Sequence, residues 1–252
     1  MAHEGPANAM SLRSDSPAPL VVRARWYLIG FVALGLSASP APAVDIPDTI
    51  GQRMQPCMVC HGPEGRATTQ GFFPRIAGKP ARYLYNQLIA FREGRRSNST
   101  MAYFVDHMTD AYLQEIAQYF AALDLPHAPP RASNATPTQL ARGEALVRHG
   151  DRALGVPACT ACHGDALTGA LPAIPSVLGL PHDYLKLQFG SWRVGVRRAL
   201  APDCMSEIVS RLSPQDLNDI AAWLSSQSVP AAAAPTAHLA RPLPLQCGSD
   251  PP

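Results

Sequence analysis

Lysine is almost missing from this 252-residue chain: Lys79 and Lys186 are the only two, and arginine supplies the rest of the positive charge. There is no long basic run and the formal net charge is +2, too weak a field to draw the chain onto nucleic-acid phosphates. Charged residues make up 16% of the sequence against 46% hydrophobic, the balance of a globular chain and not of a disordered one. No stretch sustains a period-two alternation, so no sheet is predicted. H-E-x-x-H, a Gly-rich phosphate loop and a Ser-His-Asp spacing are all missing, so the sequence offers no competing catalytic constellation. The apolar run WYLIGFVALGLSA (26–38) is about a dozen residues, short of the roughly 20 that a membrane span needs.

That run reads instead as the core of an export signal. Arg23 and Arg25 precede it, and Ala41-x-Ala43 after it suits cleavage ahead of Val44. Residues 1–43 are therefore assigned to a signal peptide, with a retained N-terminal anchor as the alternative. The expected compartment is the periplasm, where disulfides persist.

What the sequence does contain is the same short pattern twice. QPCMVCHGPEG (55–65) holds Cys57, Cys60 and His61 as C-x-x-C-H, and PACTACHGDA (157–166) repeats it with Cys159, Cys162 and His163. The repeat extends far beyond the motif. At an offset of 101, Gly78, Pro80, Tyr83, Leu84 and Gln87 fall on Gly179, Pro181, Tyr184, Leu185 and Gln188, and Phe91 falls on Trp192. At an offset of 104, LQEIAQYF (113–120) falls on LNDIAAWL (217–224).

Each copy reads as helical. Leu113, Ile116, Ala117 and Phe120 recur at i, i+3, i+4 and i+7, as do Leu217, Ile220, Ala221 and Leu224. Ser213-Pro214-Gln215-Asp216 supplies a cap, a first-turn proline and an acid at N3. Helices are further predicted near 47–56, 80–93, 138–149 and 181–193. The expected organisation is a first domain over 44–123, a Pro-rich linker over 124–135 and a second domain over 136–227. An irregular Pro/Ala-rich tail over 228–252 follows.

C-x-x-C-H is the spacing of covalent c-type haem attachment: two thiols add to the vinyl groups and the adjacent imidazole reaches the iron. Zinc ribbons place their cysteine pairs about 15–20 residues apart, whereas here the pairs lie about a hundred apart in sequence. A thioredoxin-like dithiol needs a βαβ setting that the pattern does not offer. Two attached haem c groups are therefore expected, on Cys57 and Cys60 and on Cys159 and Cys162, with His61 and His163 as axial ligands.

An electron-shuttling iron also needs a sixth ligand, most often Met. Met205 is the only methionine after Cys162, while Met101, His107 and Met108 compete in the first copy. At offset 104, Met101 lands on Met205, Met108 on Leu212 and His107 on Arg211, which selects Met101. Met54 and Met58 are read as packing. Pro74 and Pro175 hold equivalent places in the loop after each histidine, and their carbonyls are candidates to accept the second imidazole N–H, as ligating histidines require; plain turn prolines are the alternative. Arg95, Arg96, Arg197 and Arg198 are read as solvated surface or as partners for haem propionates or an acidic protein. His127, His149, His182 and His238 are read as surface. The two remaining cysteines, Cys204 and Cys247, are the candidates for a disulfide that ties the tail to the segment bearing Met205. The alternative is a buried Cys204 and a free Cys247 in a frayed tail.

With these motifs in place, residues 46–227 resemble two class I cytochrome c domains in tandem, and the whole is similar to the dihaem cytochrome c4 family. The resemblance implies an all-α fold of two class I cytochrome c domains related by a pseudo-twofold axis, each wrapped around a haem. It implies an electron carrier that serves redox proteins: a membrane cytochrome complex, a terminal oxidase or reductase, or a periplasmic dehydrogenase. Peripheral membrane association stays open. The alternatives weighed beside it are a haem-bearing subunit of a periplasmic dehydrogenase and a dihaem peroxidase, the latter disfavoured by two repeat-matched methionines.

Overall fold

The computed structural model describes residues 47–250 apart from 69, 70, 131 and 232. The signal segment over 1–43 and its cleavage site before Val44 lie outside the described residues. In chain order the helices are α1 (Ile50–Arg53), α2 (Gln55–His61), α3 (Ala81–Arg92), α4 (Ser99–Val105), α5 (Asp110–Ala121), α6 (Pro137–His149), α7 (Thr160–His163), α8 (His182–Arg193), α9 (Cys204–Arg211) and α10 (Pro214–Ser226). The predicted helix near 47–56 is broken in two at Met54, whose backbone joins α1 to α2. The rest of the helical reading agrees with the structure to within about two residues.

The helices start where the sequence supplies caps. Asn98, Thr109, Thr136, Asp203 and Ser213 each accept a first-turn backbone N–H through a side-chain oxygen, which satisfies donors that a helix start leaves unpaired. Thr136 with Gln139 and Ser213 with Asp216 form full capping boxes, each with a first-turn proline.

Each copy buries its own apolar stripe. In the first, α5 packs on α3 and α1 and contributes Leu113, Ile116, Ala117 and Phe120 to a core shared with Leu84 and Phe91. In the second, α10 packs on α6 and α8 and contributes Leu217, Ile220, Ala221 and Leu224 to a core with Leu185 and Phe189. The α6–α10 crossing is tight because Gly143 sits at it: a Cβ there would collide with the Asp219 carbonyl oxygen and lie 2.9 Å from Trp223 Cβ.

Two features depart from the expected helical pattern. Two two-residue strands, β1 (Gly169–Ala170) and β2 (Ile174–Pro175), pair antiparallel in the loop after His163; two residues are too few for an alternation to register in sequence. The tail over 228–250 is irregular, as expected, yet it is fastened down. Thr236 N donates to Gly169 O and Leu171 N donates to Thr236 O. Further on, Gly248 N donates to Pro202 O, and Cys247 is disulfide-bonded to Cys204 across a sequence separation of 43.

Two measurements check this account. Gly143→Ala should lower stability by about 1–3 kcal/mol, because the obstacle is backbone that cannot swing aside. Gly190→Ala, on the exposed side of α8 with nothing within 4 Å of its would-be Cβ, should raise stability by about 0.5–1 kcal/mol; urea unfolding followed by circular dichroism reads both. Replacing Cys247 with Ser should cost up to about 4 kcal/mol by the chain-entropy relation for a loop of this length, seen as a lower thermal midpoint that mild reduction of the parent protein reproduces.

Candidate functional site

Each C-x-x-C-H motif ends a short helix, α2 or α7, and the glycine after it turns the chain away. Gly62 and Gly164 have φ of 76° and 78°, in the left-handed region that a side chain disfavours. That turn sends the following loop back past the histidine. His61 Nδ1 lies 2.9 Å from Pro74 O and His163 Nδ1 lies 2.7 Å from Pro175 O. A carbonyl can only accept, so Nδ1 carries the proton and donates, and Nε2 keeps its lone pair free for a metal. Burial holds both imidazoles below the ordinary histidine range, with the proline carbonyls opposing it. Both rings are thus kept neutral and in one tautomer, as a ligating imidazole must be.

The four motif cysteines form no disulfide. Burial pushes Cys159 up to about 12 and Cys162 up to about 11, and raises Cys57 as well. A redox dithiol needs a thiol made acidic by its surroundings, and these surroundings do the reverse. Among the described residues no group of three or more His, Cys, Asp and Glu side chains is placed to hold a bare metal ion, so a zinc site gains no support either. Half-buried, unpaired thiols beside a neutral histidine suit thioether attachment.

The two methionines selected by the repeat sit in equivalent elements. Met101 is the third residue of α4, its N–H donating to Asn98 Oδ1 at 2.9 Å, and Met205 is the second residue of α9, beside the cap Asp203. Met101 packs against the first core and Met205 against the second. Of the competitors, Met108 packs against the first core, and the His107 side chain is 97% exposed. Met54 is buried in the first core.

Between the copies lies a seam that the sequence reading did not foresee. Arg96 and Arg197 pair as an antiparallel bridge, extended by Ser97 N to Val196 O and Arg198 N to Arg95 O. The Arg96 guanidinium donates to Gln87, Gln188 and the Tyr184 hydroxyl. Arg197 donates to Gln188 and Gln87, with the Tyr83 hydroxyl at 3.4 Å. Arg96 stacks on Phe91 and Arg197 on Trp192, at 4.6 and 3.8 Å from the ring centroids. Solvated surface is the wrong description for Arg197, which is 6% exposed, and burial lowers its proton affinity. Arg95 does reach an acid, Glu93 at 2.7 Å. The equal spacing of Tyr, Gln, aromatic and Arg in both copies is the sequence signal for this seam; a repeat shows that the positions correspond, not that they meet.

A second cationic cluster brings Arg75 and Lys79 together. Arg75 donates to Ala77, Leu125 and Pro126 carbonyls, which holds the start of the linker. Lys79 donates to Ser176 O at 2.9 Å, and burial, then Arg75, brings it down to about 7. His127 is not free surface: its Nδ1 sits near Gly179, and burial with Arg75 and Lys79 brings it down to about 4. His149 and His238 are exposed.

These residues fit haem on an independent count. Trp192 Nε1 is buried and has no acceptor in the protein, and the Arg96–Arg197 pair has neutral acceptors only. A buried donor without a partner costs about 1–3 kcal/mol, and a propionate-bearing group held at the second motif would offer the Trp192 donor a carboxylate.

No family model matches the chain. Cytochrome c4 of Pseudomonas aeruginosa is 32% identical over 170 residues, covering 67% of this chain and 82% of that protein. The thiosulfate dehydrogenase electron acceptor of Thiomonas intermedia is 32% identical over 171 residues, covering 68% of this chain and 78% of that protein. Reduced recombinant cytochrome c4 from Pseudomonas stutzeri superposes with a TM-score of 0.61 at 27% identity, over 70% of this chain and 96% of that structure. Two C-x-x-C-H motifs on two helical repeats, together with these likenesses, settle the family: the chain belongs to the cytochrome c4 family, dihaem c-type cytochromes that carry electrons and are not enzymes.

Proposed function

We propose that His61 with Met101 and His163 with Met205 are the axial pairs of the two haems, and that the protein carries electrons between partners in the periplasm. The observation that carries the proposal is the duplicated frame: a histidine made neutral by a proline carbonyl, and a methionine in the first turn of the equivalent helix, in each copy. Bound haem supplies a one-electron couple, and a His/Met pair sets it toward high potential. The chain's own work is to hold the ligands still. Pro74 and Pro175 fix the rings, while the caps Asn98 and Asp203 fix the helix starts that carry the methionines. The apolar cores keep water from the cysteines and the histidines.

We assign residues 44–123 and 136–227 to the two haem domains, with 124–135 between them. Among the described residues no helix is long and apolar enough to cross a membrane. Together with the export signal read at 1–43, this supports a periplasmic protein. The tail is bonded to the loop after His163 at Thr236 and to the segment before Met205 at Cys247. It is thus fastened to both the segment after His163 and the segment bearing Met205, and Asn86 of the first copy donates to its Ser249 O.

A second reading gains support from one observation. The relative from Thiomonas intermedia is named as the electron acceptor of a dehydrogenase, which favours a dehydrogenase as the donor to this chain. A membrane cytochrome complex or terminal oxidase then takes the electrons.

Met101→Ala and Met205→Ala should each remove the near-infrared sulfur-to-iron band of one haem and lower its potential, leaving the other nearly unchanged. Loss of the first haem's band in Met108→Leu, with Met101→Leu spared, overturns the ligand assignment. Optical redox titration of the intact protein should show two reversible one-electron steps and no appreciable peroxide consumption at half reduction. Rapid peroxide turnover with a high-spin haem overturns the carrier reading.

A further inference from the structure

Lys79 lies just ahead of α3 in the first copy, but its charge is spent on the second. Its side chain is 7% exposed and its Nζ donates to Ser176 O. Ser176 directly follows Pro175, the residue whose carbonyl accepts from His163. A buried cation of one copy is therefore fixed to the peptide next to the one that orients the other copy's histidine. No carboxylate acts on it: its surroundings contribute burial and the positive charge of Arg75. Since burial and Arg75 bring Lys79 down to about 7, it is an ammonium below that pH, and one so placed is screened far less than one on the surface.

The arrangement is not reciprocal. At offset 101 the counterpart of Lys79 is Leu180, a buried apolar residue in the second core. No side chain of the second copy is recorded as donating to the peptides around Pro74 among the described residues, and Arg75, next to Pro74, turns to Ala77, Leu125 and Pro126. The coupling runs one way.

We propose that Lys79 is a positioning residue for the second centre, holding the Pro175–Ser176 segment against His163 and raising the reduction potential of the haem that His163 ligates. Two effects act in the same place. The hydrogen bond restrains the loop that keeps the imidazole in its ligating tautomer, and the buried positive charge favours the iron state with one charge fewer. The proposal rests on the ligand assignment above.

The test is an optical redox titration, run below the pH of about 7 at which Lys79 loses its charge, of the intact dihaem protein and of Lys79→Met, Lys79→Gln and Lys79→Arg, with Met205→Ala identifying which step belongs to the second haem. Lys79→Met and Lys79→Gln should shift the second step alone, making that haem about tenfold harder to reduce at a given potential, about 59 mV for one electron. Lys79→Arg should leave the step within threefold of the parent, and the sulfur-to-iron band of both haems should persist in all three variants. Should Met205→Ala disturb neither step, the ligand assignment has failed. Should it lower one step while Lys79→Met moves the other, both equally or neither, the ligand assignment stands and the role of Lys79 is overturned. Loss of the second haem's band in Lys79→Met, with the potential kept in Lys79→Gln, also overturns it by showing that Lys79 only supports the fold.

Discussion

One hydrogen bond, made twice, organises this protein: an imidazole Nδ1–H given to a proline carbonyl. It decides the tautomer, and the tautomer decides that the opposite ring nitrogen is free to bind iron. Much else serves to keep that bond. The left-handed glycines return the chain so that the proline loop can meet the ring. The loop is then pinned, by β1 and β2 in the second copy and by Gly65 in the first, whose carbonyl accepts from Ile76 and Ala77. The helix pairs α3 with α5 and α8 with α10 close the apolar cores of the two copies, and burial keeps each ring neutral.

What the sequence made legible follows from period and spacing. Three- and four-residue repeats of apolar side chains marked the faces of α5 and α10. Ser213, with its proline and acid, marked a helix start to the residue. The motif spacing named the cofactor, and the offset between copies is what supports Met101 over Met108 in the proposed ligand pair. Met101 is third in its helix and Met205 second, so the two residues stand one position apart in equivalent helices.

What stayed hidden has no period. Arg96, Arg197, Lys79 and His127 are ordinary polar residues until another copy or the linker is folded against them. A rule that puts charges on the surface misplaces them, because nothing local to Arg197 records that its acceptor Gln87 lies 110 residues away, in the other repeat. The tail was legible in its irregularity and in its leftover cysteine, but its pairing with Gly169 and Leu171 runs through backbone groups that every residue carries. The seam also shows how buried guanidinium groups are tolerated without acids: amide and phenol oxygens and aromatic faces take the place of carboxylates. Each such contact to a charged group is worth about 1.5–3 kcal/mol, and stacking on an aromatic face adds about 0.5–2 kcal/mol.

The geometry of that seam carries a lesson about origin. Arg96 reaches Gln188 while Arg197 reaches Gln87, and the bridge between them runs antiparallel through its own midpoint. Residue i meeting j while j meets i is the rule of an isologous contact, the kind that joins two identical subunits across a twofold axis. The surface is self-complementary, so a single repeat bearing Tyr, Gln and Arg at these places already possesses both sides of it. Fusing two such units turns a concentration-dependent association into an intramolecular one, with the linker fixing an effective concentration in the millimolar range. Once the halves can no longer part, each is free to diverge, and Lys79 and the fastened tail are where this chain has stopped being a dimer of equals.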